Sequence, residues 1–308
     1  MSLSTTSPSS GEASQPSPQP EPFIIPPSAT HTHTIILLHG RGSNGPKVGA
    51  EFLASTSSTG RTLAQTFPGV KFVFPTATKR RAVQFKRMRI NQWFDMYGDD
   101  QWGYREYLAV DGLQDTTALI HRLVEVEVET GIPRGRIILG GLSQGCAASL
   151  YAMVCGELVG GYIGMSGWLP FAEQLEGILD GDTGEDDIFA PSSDAVGEDN
   201  GQANGESASD EETLLMEAVG FLRENISLAK IGFGDWSPVQ RIPVFLGHGA
   251  LDEKVPCGLG EQASYALQAL GFQVTWRRYE QLGHWYAVPD EIDDIITFLA
   301  GIGVESTS

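Results

Sequence analysis

Along the chain, short unbroken apolar runs alternate with stretches in which apolar residues recur every three or four positions. "TIILLHG" from Thr34, "VKFVFP" from Val70, "RIILGG" from Arg136, "VGGYIGMSG" from Val159, "IPVFLGHG" from Ile242 and "FQVTWRRYE" from Phe272 have strand length and composition. Between them, "VDGLQDTTALIHRLVEVEVETG" places Leu113, Leu119, Ile120, Leu123, Val124 and Val126 at helical spacing, and Gly131 supplies a stop. "RTLAQTF", "QGCAASLYAMVCG", "CGLGEQASYALQALG" and "PDEIDDIITFLAG" read as further helices. Strands alternating with helices over this length predict an α/β fold: a mostly parallel sheet with helices on both faces.

The alternation fails in two places. Residues 1 to 30 are rich in Ser, Pro and Thr, with almost no aliphatic side chain before Phe23, and are expected to be a disordered tail. Between about 172 and 240 lies an acidic, partly disordered insertion, ahead of the strand "IPVFLGHG". Within it, "SDEETLLMEAVGFLRENI" offers a capping box (Ser209, Glu212) and an apolar stripe from Leu214 to Leu222, so a helix is predicted there. The remainder, 31–302, is expected to form a single domain carrying that insertion.

Composition sharpens this only in part. With 41% hydrophobic residues in 308, the chain can bury a substantial core, and it has no apolar run of membrane-spanning length. The N-terminus lacks the basic and apolar regions of a signal peptide, and no lipid anchor is read from it. Three cysteines, Cys146, Cys155 and Cys257, cannot all pair, so free thiols and a cytoplasmic or also nuclear location are expected. The net charge of −19 is concentrated: residues 173–217 hold fifteen of the 39 acids and no basic residue. The opposite cluster, Lys79, Arg80, Arg81, Lys86, Arg87 and Arg89, is expected to be solvated or paired with that acidic stretch rather than to bind nucleic acid. The pair His31 and His33 lacks further ligands, and no metal is expected.

The chemistry is carried by "IILGGLSQGCAASLY". Gly141-Leu142-Ser143-Gln144-Gly145 fits G-x-S-x-G, in which a sharp strand-to-helix turn exposes a nucleophilic serine. A helix-capping serine reads equally well from these five residues alone. A second glycine motif, Gly40-Arg41-Gly42-Ser43-Asn44-Gly45, follows a strand and imitates a dinucleotide fingerprint. His39 at the strand end, Pro46 after the last glycine and the missing acid after "VKFVFPTATK" all count against a nucleotide site. An oxyanion hole suits the loop better, formed by the backbone N–H groups of Arg41 and Gln144, with the Arg41 side chain left free and His39 structural.

Partners for the serine should follow it as an acid and then a histidine, on loops after later strands. His284 in "YEQLGHWY" lies between the last strand and the last helix, and Asp252 in "GHGALDEKVP" follows the preceding strand. His248 precedes its nearest acids and is read as structural. The order Ser143, Asp252, His284 makes a serine hydrolase the leading reading.

The blocks "LHGRGSNG", "NQWFDMYG", "ETGIPRGRIILGGLSQGCAASLY", "MSGWLP", "PVFLGHGALDEKVP" and "YEQLGHWY" resemble the acyl-protein thioesterase/phospholipase-carboxylesterase family. The resemblance covers roughly residues 34–170 and 240–300. It implies an α/β-hydrolase fold, no cofactor, and hydrolysis of acyl thioesters or carboxylic esters, with a lipidated protein or lysophospholipid as substrate. By matched position it makes Ser143 the nucleophile, Asp252 the acid and His284 the base. It also puts Trp93, Phe94, Trp168 and Leu169 near the acyl groove, where residue type alone fits core equally well.

Three departures stand out. Cys146 replaces a third glycine of the family pattern, Ala250 replaces an acid, and the segments near "YGDDQWGYREY" and 172–240 are longer. The 211–224 helix is expected either to border the acyl site or to be a surface insertion. A short-chain carboxylesterase, and a hydrolase-fold binding protein without turnover, are the alternatives. Oligomeric state is not readable.

Overall fold

A computed structural model describes residues 18–98, 101–181 and 209–307. Its elements in chain order begin with strands β1 (Phe23–Ile25) and β2 (His33–Leu38), helices α1 (Gly45–Ala54) and α2 (Leu63–Thr66), and strand β3 (Val70–Phe74). A hairpin follows, β4 (Lys79–Ala82) with β5 (Met88–Asn91), and then α3 (Val110–Glu129), β6 (Ile137–Leu142), α4 (Gln144–Val154) and β7 (Gly161–Met165). The remaining elements are α5 (Ala172–Leu179), α6 (Asp210–Asn225), α7 (Phe233–Gln240), β8 (Val244–Gly249), α8 (Cys257–Ala269), β9 (Val274–Tyr279) and α9 (Asp290–Gly301).

Seven strands form one sheet in the order β1-β3-β2-β6-β7-β8-β9. All neighbours are parallel except β1, which runs antiparallel to β3 at the edge. Strands β2, β6, β7 and β8 are buried at every position, which is why they read as continuous apolar runs. On one face α3, α4 and α8 cover the sheet through Leu113, Ile120, Leu150, Val154, Ala263 and Leu267. On the other, α1, α2 and α9 cover it through Phe52, Leu63, Ile292, Ile295 and Leu299. This is the α/β-hydrolase arrangement expected.

The structure corrects several expectations. The tail is overdrawn: residues 18–30 are placed, and Phe23–Ile25 pair with Phe72–Phe74, so two aromatic residues clamp the edge strand. Residues 1–17 lie outside the described residues, as do 99–100, 182–208 and 308, including most of the acidic insertion. The glycine loop runs into helix α1, which was not among the helices read from the sequence. Asn44 caps α1 by accepting from Lys47 N–H, and Pro46 sits in its first turn, where a missing N–H costs nothing. Two helices within 172–240, α5 and α7, escaped the sequence reading because each is only 8 residues long. The capping box of α6 is present as predicted, Ser209 Oγ accepting from Glu212 N–H.

Helix α6 does not border the candidate site. Its Ala218, Val219 and Leu222 are buried, and the Leu222 carbonyl accepts from Tyr151 Oη of α4 at 2.5 Å. The helix therefore closes the outer side of α4. The basic run forms the β4–β5 hairpin, and Arg80 pairs at 2.5 Å with Asp115 of α3; most of the acidic stretch lies outside the described residues.

Candidate active site

The C-terminal ends of β2, β6, β7 and β8 meet where Ser143 turns from strand into helix. Ser143 has φ 56° and ψ −122°, a conformation that only surrounding packing can hold. That packing is the flanking glycines. A Cβ on Gly141 would lie 2.3 Å from the Gly145 carbonyl carbon, and one on Gly145 would lie 2.3 Å from the Leu38 carbonyl oxygen. Helix α4 thus starts directly against the end of β2. The Ser143 loop consequently touches the glycine loop: a Cβ on Gly40 would stand 3.4 Å from Ser143 Cβ and 4.0 Å from its Oγ. The Ser143 side chain makes no capping bond to α4.

Asp252 and His284 converge on the same strand ends. Gly249 closes β8, and a Cβ there would lie 2.3 Å from the Leu282 carbonyl oxygen, so the 282–285 loop crosses over the strand end. Leu251 N–H donates to the Leu282 carbonyl at 2.9 Å, and Ser166 Oγ donates to the Trp285 carbonyl at 2.7 Å. These contacts bring His284 Nδ1 to 2.8 Å from Asp252 Oδ2. The Asp252 side chain is fully buried. Its Oδ1 accepts the N–H groups of Lys254 and Val255 at 2.9 and 2.8 Å.

Burial alone would raise the Asp252 pKa. Hydrogen bonds from His248, His284 and the Val255 N–H outweigh burial and hold the carboxyl well below the usual carboxylate range. His248 Nε2 lies 2.9 Å from the Val255 carbonyl and 3.3 Å from Asp252 Oδ2, so this histidine buttresses the acid from behind.

Ser143 and His284 line one cleft of about 720 Å³ with Arg41 and Gln144. Its apolar wall comes from Val48, Phe85, Met88, Ile90, Met96, Trp102 and Trp168. A small chamber of about 60 Å³, which Phe94 and Leu169 help line, adjoins it at Met96, Trp102 and Trp168. Of the four expected groove residues, then, Trp168 lies in the cleft and Phe94 and Leu169 in the chamber. Trp93 lies in neither: it is 2% exposed, and its Nε1–H donates to the His39 carbonyl at 2.7 Å. In the chamber wall, burial pushes the Glu106 carboxyl up to about 7. Sequence reading missed Trp102, Phe85 and Met88; for Phe85 and Met88 the available signal was an apolar residue inside an otherwise basic hairpin.

Arg41 is also tethered, against expectation. Its Nε donates to Gln92 Oε1 at 2.9 Å, a second nitrogen donates to Gln84 Oε1, and the guanidinium lies 5.0 Å over the Phe85 ring. The side chain ties the glycine loop to the hairpin. Burial lowers the His39 pKa to about 4, and the ring accepts the Ala77 N–H at 3.0 Å, so His39 is neutral and structural. Cys146 is unsuited to act as a nucleophile: it is fully buried, and burial pushes its thiol up to about 12.

A model of the phospholipase/carboxylesterase family matches residues 19–183 and 220–302. The chain belongs to this family. Among curated relatives, acyl-protein thioesterase 1 of Gibberella zeae is 28% identical over 281 residues, covering 90% of this chain and 94% of the relative. Acyl-protein thioesterase 1 of Schizosaccharomyces pombe is 34% identical over 157 residues, covering 51% of this chain and 65% of the relative. Among solved structures, Zea mays acyl-protein thioesterase 2 superposes with a TM-score of 0.61 at 24% identity, over 92% of this chain and 98% of the other. That likeness shows the fold. As a phospholipase/carboxylesterase family member, the chain is a serine hydrolase acting on esters or thioesters.

Proposed function

We propose that Ser143, Asp252 and His284 form the catalytic triad of an acyl-thioester or acyl-ester hydrolase. The observation that carries this is the strained Ser143 turn, sharing one cleft with a histidine bonded at 2.8 Å to a buried acid. The Nδ1–H of His284 is held by Asp252, which leaves Nε2 to take the Ser143 proton as Oγ attacks the acyl carbonyl. The backbone N–H groups of Arg41 and Gln144 receive the oxyanion, the latter at the positive end of α4. His284 then protonates the leaving thiol or alcohol, and later activates the water that releases the acyl group from Ser143.

The acyl chain lies along the apolar wall of Phe85, Met88, Ile90 and Trp168. A wall of that extent favours long chains over short ones. The names of the curated relatives support an acylated protein as substrate; a lysophospholipid offers the same acyl group. Three free cysteines support a reducing compartment such as the cytoplasm, and no described helix is long and apolar enough to cross a membrane.

The test is kcat/KM for paired acyl thioesters and oxygen esters from two to sixteen carbons, with Ser143→Ala as control. A rise toward long thioesters is expected. A peak at short oxygen esters would assign a small-ester carboxylesterase instead, and turnover by Ser143→Ala would remove the triad assignment.

A further inference from the structure

Trp93 is a poor substrate contact and an unusual core residue, because both its donors are committed to the segments that carry the two oxyanion amides. Its indole Nε1–H donates to the His39 carbonyl at 2.7 Å, and its backbone N–H donates to Gln144 Oε1 at 3.0 Å. The rings of Trp93 and His39 also touch, with centroids 4.8 Å apart.

Each end of this link fixes a peptide plane. At one end, His39 Nε2 accepts from Ala77 N–H at 3.0 Å, so Nδ1 carries the proton and donates to the Gly40 carbonyl at 2.7 Å. Ser43 N–H donates to the same carbonyl at 3.1 Å. In a planar trans peptide the N–H points opposite to its carbonyl, so holding the Gly40 oxygen aims the Arg41 N–H. At the other end, Ala147 N–H donates to the Ser143 carbonyl at 3.0 Å, which aims the Gln144 N–H in the same way. The packing of Gly145 against the Leu38 and His39 carbonyls brings the two planes together, and Trp93 is the residue that spans their spacing by hydrogen bonds at both ends. Gln144 Nε2 donates in turn to the Phe94 carbonyl at 2.9 Å, so the side chain grips the Trp93–Phe94 segment twice.

We infer that Trp93 and the Gln144 side chain are positioning residues that set the separation of the Arg41 and Gln144 amides, forming a brace for the oxyanion hole. This inference rests on the oxyanion-hole reading above. A donor displaced by a fraction of an ångström stabilises the charged intermediate less, while it leaves ground-state binding nearly unchanged.

The experiment uses Trp93→Phe, Gln144→Met and their double variant. For each, kcat and KM are measured on a short ester, with dissociation constants for an alkylboronic acid and for the matching primary amide. The boronic acid adds Ser143 Oγ to boron and places an oxygen where the oxyanion forms; the amide does not. Each single variant should lose about ten- to a hundredfold in kcat with KM within about twofold. Boronate affinity should fall by the same factor while amide affinity holds. The double variant should be little worse than the poorer single, because both remove one brace.

Parallel losses for boronate and amide, or single losses that multiply in the double variant, would overturn the brace. Wild-type protein that binds boronate no more tightly than amide would overturn the oxyanion-hole reading, and the brace with it. Wild-type discrimination that survives in both single variants would overturn the brace alone. Should Trp93→Phe fail to fold, Gln144→Met carries the same comparison by itself.

Discussion

Cys146 and Gly167 occupy one another's space. A Cβ on Gly167 would lie 2.4 Å from Cys146 Sγ and 2.5 Å from its Cβ, so the sulfur fills the hollow that the glycine leaves. The thiol stands behind the Ser143 turn, and the missing side chain of Gly167 in the opposite wall accommodates it. Gly167→Ala should therefore destabilise the protein by about 1–3 kcal/mol through overpacking. The double variant Gly167→Ala with Cys146→Gly should recover much of that loss. Urea unfolding of the three proteins checks this; a single variant as stable as wild type would show that the two residues are not in contact.

How much of this was legible beforehand follows from what each residue type can advertise. The buried strands were plain because both faces of a parallel strand are covered and polar alternation vanishes. The convergence of Ser143, Asp252 and His284 at one end of the sheet was readable by their order along the chain, since a strand end is a place that sequence marks. Trp93 was misplaced because its role depends on a carbonyl 54 positions away, which no local pattern records. Helix α1 was passed over because Asn44 and Pro46, good starting residues, sit inside a glycine motif that reads as a loop. The tether of Arg41 to Gln84 and Gln92 was invisible for the same reason as Trp93: the hairpin returns to the loop only in three dimensions.

Ser143 should be a site where glycine stabilises. Its φ of 56° and ψ of −122° cost a residue with a Cβ about 1–3 kcal/mol, which glycine avoids. Ser143→Gly and Ser143→Ala both remove the proposed nucleophile, and only the glycine variant also relieves the backbone. Ser143→Gly should be the more stable of the two inactive proteins, despite the extra freedom of its unfolded chain. Thermal unfolding of both variants decides the point, and an alanine variant of equal or higher Tm would show that the turn carries no strain.

Asp252→Asn should leave the fold intact and lower kcat by about 10³–10⁴-fold, with little change in KM. Oδ2 of Asp252 accepts from His284 Nδ1, and an amide nitrogen at that place would reverse the tautomer that leaves Nε2 ready to take a proton. The depressed pKa of Asp252 also fixes a sign. A carboxyl held low when folded stabilises the protein above its unfolded pKa, and that contribution is lost as pH falls through the folded value. The stability advantage of wild type over Asp252→Asn should accordingly shrink under strong acid, which denaturant titrations at neutral and low pH would show.

Glu291 acts in the opposite direction. It is 1% exposed in the first turn of α9, and burial raises its pKa to about 8, only partly offset by the bond from Ala287 N–H. Between the unfolded carboxyl value and about 8 the folded protein holds this proton and the unfolded chain does not. Stability must then fall as pH rises through that window, and level off above it. Glu291→Gln removes the titration, so it should match wild type near pH 5 and exceed it above pH 8 by a margin of about a few kcal/mol. A parallel pair of stability curves would show that Glu291 does not hold its proton in the folded state.

Trp102 is placed to decide how long a chain the site accepts. It lines both the cleft of about 720 Å³ and the chamber of about 60 Å³, and its ring stands edge-on to Trp168 with centroids 4.8 Å apart. Removing the indole would merge the two spaces, so carbons beyond the present end of the chain could leave water. Each buried methylene is worth about 0.8 kcal/mol, or roughly fourfold in kcat/KM. Trp102→Ala should raise the ratio of kcat/KM for sixteen-carbon over eight-carbon substrates by about tenfold, while two-carbon esters change little. Phe221→Ala is the control, because α6 packs behind α4 and Phe221 meets Phe171 rather than the cleft. Its ratio should stay at the wild-type value even if the protein loses stability. A shift in the Phe221 variant without one in Trp102→Ala would move the selectivity boundary from the 101–106 segment to the inserted helix.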